Sequence, residues 1–269
     1  MKIGIIGLGF VGNAMYTSFL KKNIPCITVF DKFKNNGIGK IKDVIDTDIL
    51  FLALPTPFDN KINKYNYSAI EENLEILAKN NYSGVIVLKS TITPETTTFL
   101  ENKYKLGLIH NPEFLTARTA FEDFHNQKHI VLGRGNLIST EKYKLVINFY
   151  NKYYPNTKIS LCSSIESESM KIFCNSFYAV KVQFFTELYQ ICQKNGSDFN
   201  TIKNMMLQNN WINPMHTNIP GPDGNISYGG LCFPKDTNAL NQYMIENNSS
   251  NLIIENCIKE RNIIRKDNL

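Results

Sequence analysis

The chain has 269 residues, a length suited to two packed domains rather than one minimal core. With 43% apolar, 20% charged and 12% aromatic residues it has the composition of an ordinary soluble globular protein, which excludes a disordered chain or a fibre. A formal charge of +5 carried by scattered lysines argues against a nucleic-acid footprint and is compatible with a phosphorylated small-molecule ligand.

Short β-branched apolar runs come first, at Lys2 to Ile6, Cys26 to Phe30, Ile49 to Leu54, Val85 to Leu88, Gly107 to Ile109 and His129 to Leu132. Helix-length polar segments separate most of them, which predicts a doubly wound parallel sheet of Rossmann type over residues 1–162. From about Ser163 the pattern changes. Met170, Phe173, Cys174, Phe177, Val180, Phe184, Leu188 and Ile191 recur every three or four residues and predict one long helix ending near Asn195-Gly196. A second helix is expected over Phe199 to Asn209, then a Pro- and Gly-rich loop from Asn213 to Gly230 and a last helical region from about Pro234. Residues 163–269 therefore read as a small all-helical domain.

The glycines near the start, Gly4, Gly7, Gly9 and Gly12, break up the first apolar run, so it reads as strand and turn rather than a signal peptide. Nowhere do about 18 consecutive apolar residues occur, and the expected location is cytoplasmic. Six cysteines, Cys26, Cys162, Cys174, Cys192, Cys232 and Cys257, lie far apart without a Cys-x-x-Cys pair or companion histidines. That spacing points to a reducing compartment and to no metal site.

Gly7-Leu8-Gly9-Phe10-Val11-Gly12 places Gly-x-Gly-x-x-Gly directly after a predicted strand and at the opening of a helix. Gly7 would make the tight turn, Gly9 would let a pyrophosphate approach the backbone, and Gly12 would permit close packing of helix on strand. Asp31 ends the second apolar run 19 residues beyond Gly12, where a carboxylate can accept ribose hydroxyls. This favours NAD over NADP, with Lys32 and Lys34 the features that would suit a 2′-phosphate.

The stretch Tyr228-Gly229-Gly230-Leu231-Cys232-Phe233-Pro234-Lys235-Asp236 carries the most chemistry. Paired glycines allow backbone to approach a ligand, and Pro234 in a first helical turn puts Cys232 at a helix start. With Lys235 beside it, a thiol there has a larger thiolate fraction, as a nucleophile requires. The bland alternative, a cysteine buried for packing, suits the other five better.

These segments together resemble the UDP-glucose/GDP-mannose dehydrogenase family, whose hallmark is Gly-Gly-x-Cys-x-x-Lys-Asp. The likeness runs along nearly the whole chain and includes Pro55-Thr56-Pro57, Lys89-Ser90-Thr91, Asn111-Pro112-Glu113-Phe114-Leu115, and Lys171 with Asn175. It implies oxidation of a nucleotide sugar's C6 alcohol to a carboxylate by two hydride transfers to NAD, through a thiohemiacetal and a thioester on Cys232. Further roles follow from it. Lys171 and Asn175, four residues apart on one helix face, would stabilise an oxyanion. Asp236 would accept a proton, while Glu113 and Thr91 would position water. Pro55, Thr56, Pro57, Ser90, Thr91 and Lys235 would join the Gly7–Gly12 segment and Asp31 in holding the cofactor. Phe114, Leu115, Tyr228 and Gly229 would join Lys171 and Asn175 in holding the substrate. The favoured substrate is UDP-glucose; GDP-mannose or a UDP-N-acetylhexosamine would undergo the same chemistry. In relatives the long helix forms a dimer core, so a homodimer is expected.

The sequence departs from the family pattern in three places. A C-terminal nucleotide-binding domain such as relatives carry is expected to be missing. Ala117-Arg118 replaces the family's Glu-Gly after Asn-Pro-Glu-Phe-Leu-x, and no arginine lies between Arg134 and Arg261, His216 standing in the approximate place of an interface arginine. The missing domain and the change at Ala117 motivate an alternative, a non-catalytic protein binding a nucleotide sugar or NAD. A generic β-hydroxyacid dehydrogenase, which needs no cysteine, is a third possibility.

Overall fold

A computed structural model of the protein describes residues 1–267. The chain divides into two compact units, one made of Met1–Pro57 with Tyr65–Lys171 and the other of Phe58–Lys64 with Ile172 onward.

In chain order the strands are β1 (Ile3–Ile6), β2 (Ile27–Phe30), β3 (Ile49–Leu52), β4 (Phe58–Asp59), β5 (Lys64–Tyr65), β6 (Val85–Leu88), β7 (Leu108–His110), β8 (His129–Arg134) and β9 (Lys158–Ser163). The helices are α1 (Phe10–Lys21), α2 (Ile41–Val44), α3 (Ser68–Lys79), α4 (Thr96–Tyr104), α5 (Ala120–His125), α6 (Thr140–Tyr153), α7 (Ser164–Asn195), α8 (Phe199–Leu207), α9 (Phe233–Glu246) and α10 (Leu252–Ile264).

The first unit is built on a seven-stranded sheet in the order β2-β1-β3-β6-β7-β8-β9, parallel except for the β7–β8 pair. Strands β1, β3 and β6 are buried at every residue, which is why their sequences are unbroken apolar runs rather than alternating ones. Alternation reappears in the packing. Ile3, Ile5, Ile49, Phe51, Val85 and Val87 enter one core, and Ile6, Leu50, Leu52, Ile86 and Leu88 the other. The first core holds an edge-to-face group in which Phe19 lies 5.5 Å from Phe51, 6.0 Å from Phe124 and 5.4 Å from Phe149. Each such side chain contributes about 1.5–3 kcal/mol by burial. Because β2 and β3 flank β1 on opposite sides, the strand order reverses there and opens a crevice at the carboxyl ends of β1 and β3, where α/β sheets bind ligands.

The six anticipated strands differ from the observed ones by at most two residues at an end. Strand β9 was not anticipated: it lies at the sheet edge, partly exposed throughout, and lacks an unbroken apolar run. Nor does periodicity reveal the direction of β8.

Helix α7 starts in the first unit and continues into the second, where α8, α9 and α10 accompany it. It stops before Gly196, whose φ of +76° is the left-handed conformation of a helix end. Asp198 then caps α8 by accepting from Thr201 N at 2.7 Å. The short β4–β5 hairpin straddles the division; Lys64 pairs with Glu246 of α9 at 3.1 Å within the second unit. Along α7 the buried side chains include Lys171, Asn175, Ser176, Gln183 and Thr186, whereas Phe173, Phe177, Phe184 and Ile191 are exposed. Among the described residues no helix is long and apolar enough to cross a membrane.

Candidate active site

The turn after β1 is built from glycines with different reasons for being glycine. Gly7 has φ +91°, and a Cβ there would lie 2.4 Å from the Ala53 carbonyl oxygen at the end of β3. A Cβ on Gly12 would lie 1.8 Å from the Gly7 carbonyl oxygen, so α1 can start this close to the turn only without a side chain. Gly9 is unlike both: its φ is −66° and an added Cβ meets no protein atom within 4 Å. Neither conformation nor protein packing explains that glycine, whereas a ligand lying against the backbone does. Gly9 is also the N-cap of α1; it makes no side-chain cap, and no acidic residue stands in the first turn, so the positive helix end suits a pyrophosphate. These features fit NAD.

Asp31 is tied into the same turn. One carboxylate oxygen accepts from Leu8 N at 2.6 Å and the other from Phe33 N at 2.9 Å and Lys34 N at 2.8 Å. Burial opposes its ionisation, but the N–H groups of Leu8, Lys34 and Phe33 together outweigh burial and hold its pKa below the ordinary value. With about four lone-pair positions on a carboxylate, capacity remains for a ribose hydroxyl. The two lysines that would suit a 2′-phosphate are engaged within the protein: Lys34 donates to the Leu8 carbonyl at 2.7 Å and Lys32 pairs with Glu72 at 2.7 Å.

The other cofactor candidates of this unit are laced together across the strand ends. Ser90 Oγ donates to the Leu54 carbonyl at 2.7 Å, and Thr56 Oγ1 donates to the Thr91 carbonyl at 2.7 Å, so Pro55-Thr56-Pro57 and Ser90-Thr91 form one wall. Beyond them Lys171 Nζ, buried at the start of α7, lies 3.4 Å from Glu113 Oε1 and 5.0 Å from the centre of the Phe114 ring. Glu113 also accepts from Leu115 N at 2.6 Å, and Phe114 stacks on His129 at 6.4 Å. Beneath this loop Lys89 Nζ donates to Asn111 Oδ1 at 2.9 Å, and Tyr150 donates to the same oxygen at 2.5 Å. Burial pulls the Lys89 ammonium down to a pKa of about 7, Glu113 opposing that and Lys171 adding to it. Sequence reasoning included Lys89 only as part of a motif; nothing in its neighbours indicates burial.

In the second unit Cys232 is the N-cap residue of α9 and is exposed, with Pro234 in the first turn as anticipated. Asp236 N donates to the Cys232 carbonyl at 3.0 Å, setting Asp236 one turn in from the cysteine. Its carboxylate is fully buried, accepts from Asn175 Nδ2 at 2.5 Å and pairs with Lys235. Asn175, Asp236, Lys235 and Cys232 are thus brought together. The Tyr228 side chain is buried against Ala179 and Cys257, which leaves its backbone as the part able to meet a ligand. His216 is held between Tyr178, 4.8 Å away, and Phe233, 5.3 Å away. Sequence reasoning missed Arg261 and Arg265, whose guanidinium groups bond the Tyr228 and Ser227 carbonyls. Their i,i+4 spacing was the signal available.

Two family models match the chain, the UDP-glucose/GDP-mannose dehydrogenase NAD binding domain over residues 35–153 and the central domain of the same family over residues 165–262. The chain belongs to the UDP-glucose/GDP-mannose dehydrogenase family, and its cofactor is NAD. It is 27% identical over 287 residues to a UDP-glucose 6-dehydrogenase of Campylobacter jejuni, with 95% of this chain and 71% of that protein covered. It is also 27% identical to one of Rickettsia bellii, covering 96% of this chain and 66% of the relative. Among solved structures it is similar to a UDP-glucose dehydrogenase of Pyrobaculum islandicum, with a TM-score of 0.83, 19% identity, and coverage of 97% of this chain and 68% of the other. A UDP-D-ManNAc dehydrogenase of Pyrococcus horikoshii is similar at a TM-score of 0.79 and 18% identity, covering 98% and 68%. The chain thus spans about two thirds of the length of these relatives.

Proposed function

We propose that the chain oxidises the C6 alcohol of UDP-glucose to the carboxylate of UDP-glucuronate, with Cys232 as covalent nucleophile. The observation that carries this reading is Cys232 itself, an exposed thiol at the start of α9 with the buried Asn175–Asp236 pair one turn away. When bound, NAD supplies the hydride acceptor for both oxidations. Gly7 to Gly12, Asp31, the Pro55-Thr56-Pro57 and Ser90-Thr91 wall, and Lys235 would hold it.

Cys232 Sγ adds to the aldehyde left by the first oxidation and forms a thiohemiacetal, which dissects one hard conversion into two easier steps. Lys171 and Asn175 donate to the sugar oxygen as negative charge develops there. Asp236 takes the proton, and water held by Glu113 and Thr91 hydrolyses the thioester formed by the second oxidation, returning the thiol. Phe114, Leu115 and the backbone of Tyr228 and Gly229 contact the substrate. The exposed face of Phe173, Phe177, Phe184 and Ile191 supports a homodimer through α7, since apolar patches of this kind seek partners. We place the reaction in the cytoplasm, where thiols stay reduced.

The test is to supply NAD with UDP-glucose, GDP-mannose or a UDP-N-acetylhexosamine and to measure NADH and sugar acid together. About two NADH per acid with UDP-glucose, and no net acid from Cys232→Ser, support the thioester route. Acid production by Cys232→Ser at the wild-type rate refutes it. Preference for another nucleotide sugar corrects the substrate alone, and NAD binding without turnover of any of them favours the non-catalytic alternative.

A further inference from the structure

The loop that carries Cys232 into α9 has no regular structure to hold it. Gly224, Ser227 and Gly230 all have positive φ, at 77°, 64° and 76°, and the short turn from Gly221 to Asn225 closes through Gly221 N donating to the Asn225 carbonyl at 2.8 Å. Such a segment must find partners elsewhere for its buried backbone groups. On one side α7 supplies them: Thr186 Oγ1 accepts from Ser227 N at 3.0 Å, and Gln183 accepts from the Ser227 hydroxyl at 2.5 Å.

The other side is held by the end of α10. Arg265 Nη1 donates to the Ser227 carbonyl at 3.1 Å, its Nη2 pairs with Asp223, and its Nε donates to Asp267 at 3.1 Å. One turn back, Arg261 Nε donates to the Tyr228 carbonyl at 3.3 Å and pairs with Asp267. Both side chains are removed from solvent, Arg261 to 2% and Arg265 to 9% exposure, so neither is an ordinary surface arginine. The Arg265 guanidinium also holds the Asp223 carboxyl below its usual range, although burial opposes this.

Gly229 links this clamp to the catalytic loop. Its φ is not in the left-handed region, so conformation does not call for glycine; a Cβ there would lie 2.5 Å from Arg265 Cζ and Nη2. The first glycine of the Gly-Gly-Leu-Cys run is therefore the seat of a guanidinium, and the second, Gly230, is the one whose backbone requires glycine.

We propose that Arg265 is a positioning residue: seated under Gly229 and forked between Asp223 and Ser227, it fixes the backbone that presents Cys232 and the substrate-facing glycines. A planar fork with several donors suits this task and an ammonium does not. The inference rests on the dehydrogenase reading of Cys232 for its kinetic consequence, but not for its geometry.

The experiment measures the rate of Cys232 alkylation by iodoacetamide, followed by mass spectrometry of the Cys232 peptide, together with kcat/KM for UDP-glucose and the Kd of NAD. It uses wild type, Arg265→Ala, Arg265→Lys, Gly229→Ala and the Gly229→Ala/Arg265→Ala double variant. Lys259→Ala serves as a control for α10 outside the clamp. Arg265→Ala is expected to change the alkylation rate at least fivefold and lower kcat/KM at least tenfold with the NAD Kd unchanged, while Arg265→Lys recovers only part of either loss. Gly229→Ala should match it, and the double variant should be no worse than either single one because both disrupt one contact. An alkylation rate within twofold of wild type in Arg265→Ala, or independent, multiplying effects of the two substitutions, overturns the proposal. If Arg265→Ala does not fold, Asp223→Asn, which removes one tine of the fork, is measured against the same limits. Should no nucleotide sugar turn over, the alkylation rates alone decide, separating failure of this inference from failure of the proposed reaction.

Discussion

Gly9 and Gly12 stand three residues apart in one motif, yet alanine at each should do opposite things. At Gly12 the new Cβ would sit 1.8 Å from a backbone oxygen, where ordinary contact is 3.4–4 Å, and backbone on both sides leaves no flexible group to yield. Overpacking of this kind costs about 1–3 kcal/mol or more. A loss of about 3 kcal/mol lowers the Tm of a domain of this size by roughly 6–12 °C. At Gly9 nothing is struck and φ is already −66°, so alanine should be neutral or stabilise by about 0.4–1 kcal/mol through the unfolded chain. Its Cβ would occupy the space against which the pyrophosphate would lie, and NAD affinity should fall at least about tenfold, or roughly 1.4 kcal/mol. Thermal unfolding and NAD titration by calorimetry on both variants separate the two effects. Wild-type NAD affinity in Gly9→Ala would mean the cofactor does not approach that backbone; wild-type stability in Gly12→Ala would refute the packing argument.

Three further outcomes follow from buried ionisable groups and the capped turn. Lys89 has a folded pKa of about 7, below its value of 10.5 when unfolded, so between these the unfolded chain binds the extra proton and stability rises with pH. Lys89→Met should flatten that rise in denaturant titrations from about pH 7 to 10, and an unchanged slope would count against a buried amine. Glu168 accepts from Glu95 N and Thr97 N, both at 2.7 Å, but burial prevails and raises its pKa from 4.5 to about 7. The native state then holds a proton that the unfolded chain has released, so this group lowers stability as pH climbs through that window, and Glu168→Gln should remove that dependence when the same titrations are run. Asp31→Asn should weaken NAD binding at least about tenfold and cost about 1–3 kcal/mol of stability, because the amide cannot satisfy all three N–H groups with the same geometry.

Much of the first unit was legible because its central strands are buried on both faces and so announce themselves as apolar runs, and because the Gly7–Gly12 turn has a fixed chemistry. Cys232 at a helix start was legible from Pro234. The least legible element was the inner face of α7. The eye follows Phe173, Phe177 and Phe184, but these are exposed, and the helix instead buries Lys171, Asn175, Ser176, Gln183 and Thr186 interleaved with Ile172, Ala179, Phe185 and Cys192. Hydrophobic period reports where apolar side chains lie, not which face the chain itself covers, and a covered face that mixes polar with apolar residues leaves a weak periodic trace. Beyond their i,i+4 spacing, Arg261 and Arg265 carried no sign of their partners: they serve backbone carbonyls of a loop more than thirty residues upstream, and carbonyls have no sequence.

The three N–H groups gathered by Asp31 bear on how the cofactor is received. With Leu8 N fixed by the end of β2 and Gly7 lodged against Ala53, the turn is completed by folding of the sheet itself. Ligand arrival then has little segmental freedom left to quench at this point, and amide exchange at Leu8 should be as slow before NAD binds as after. The receptive shape is set by the sheet rather than by the ligand.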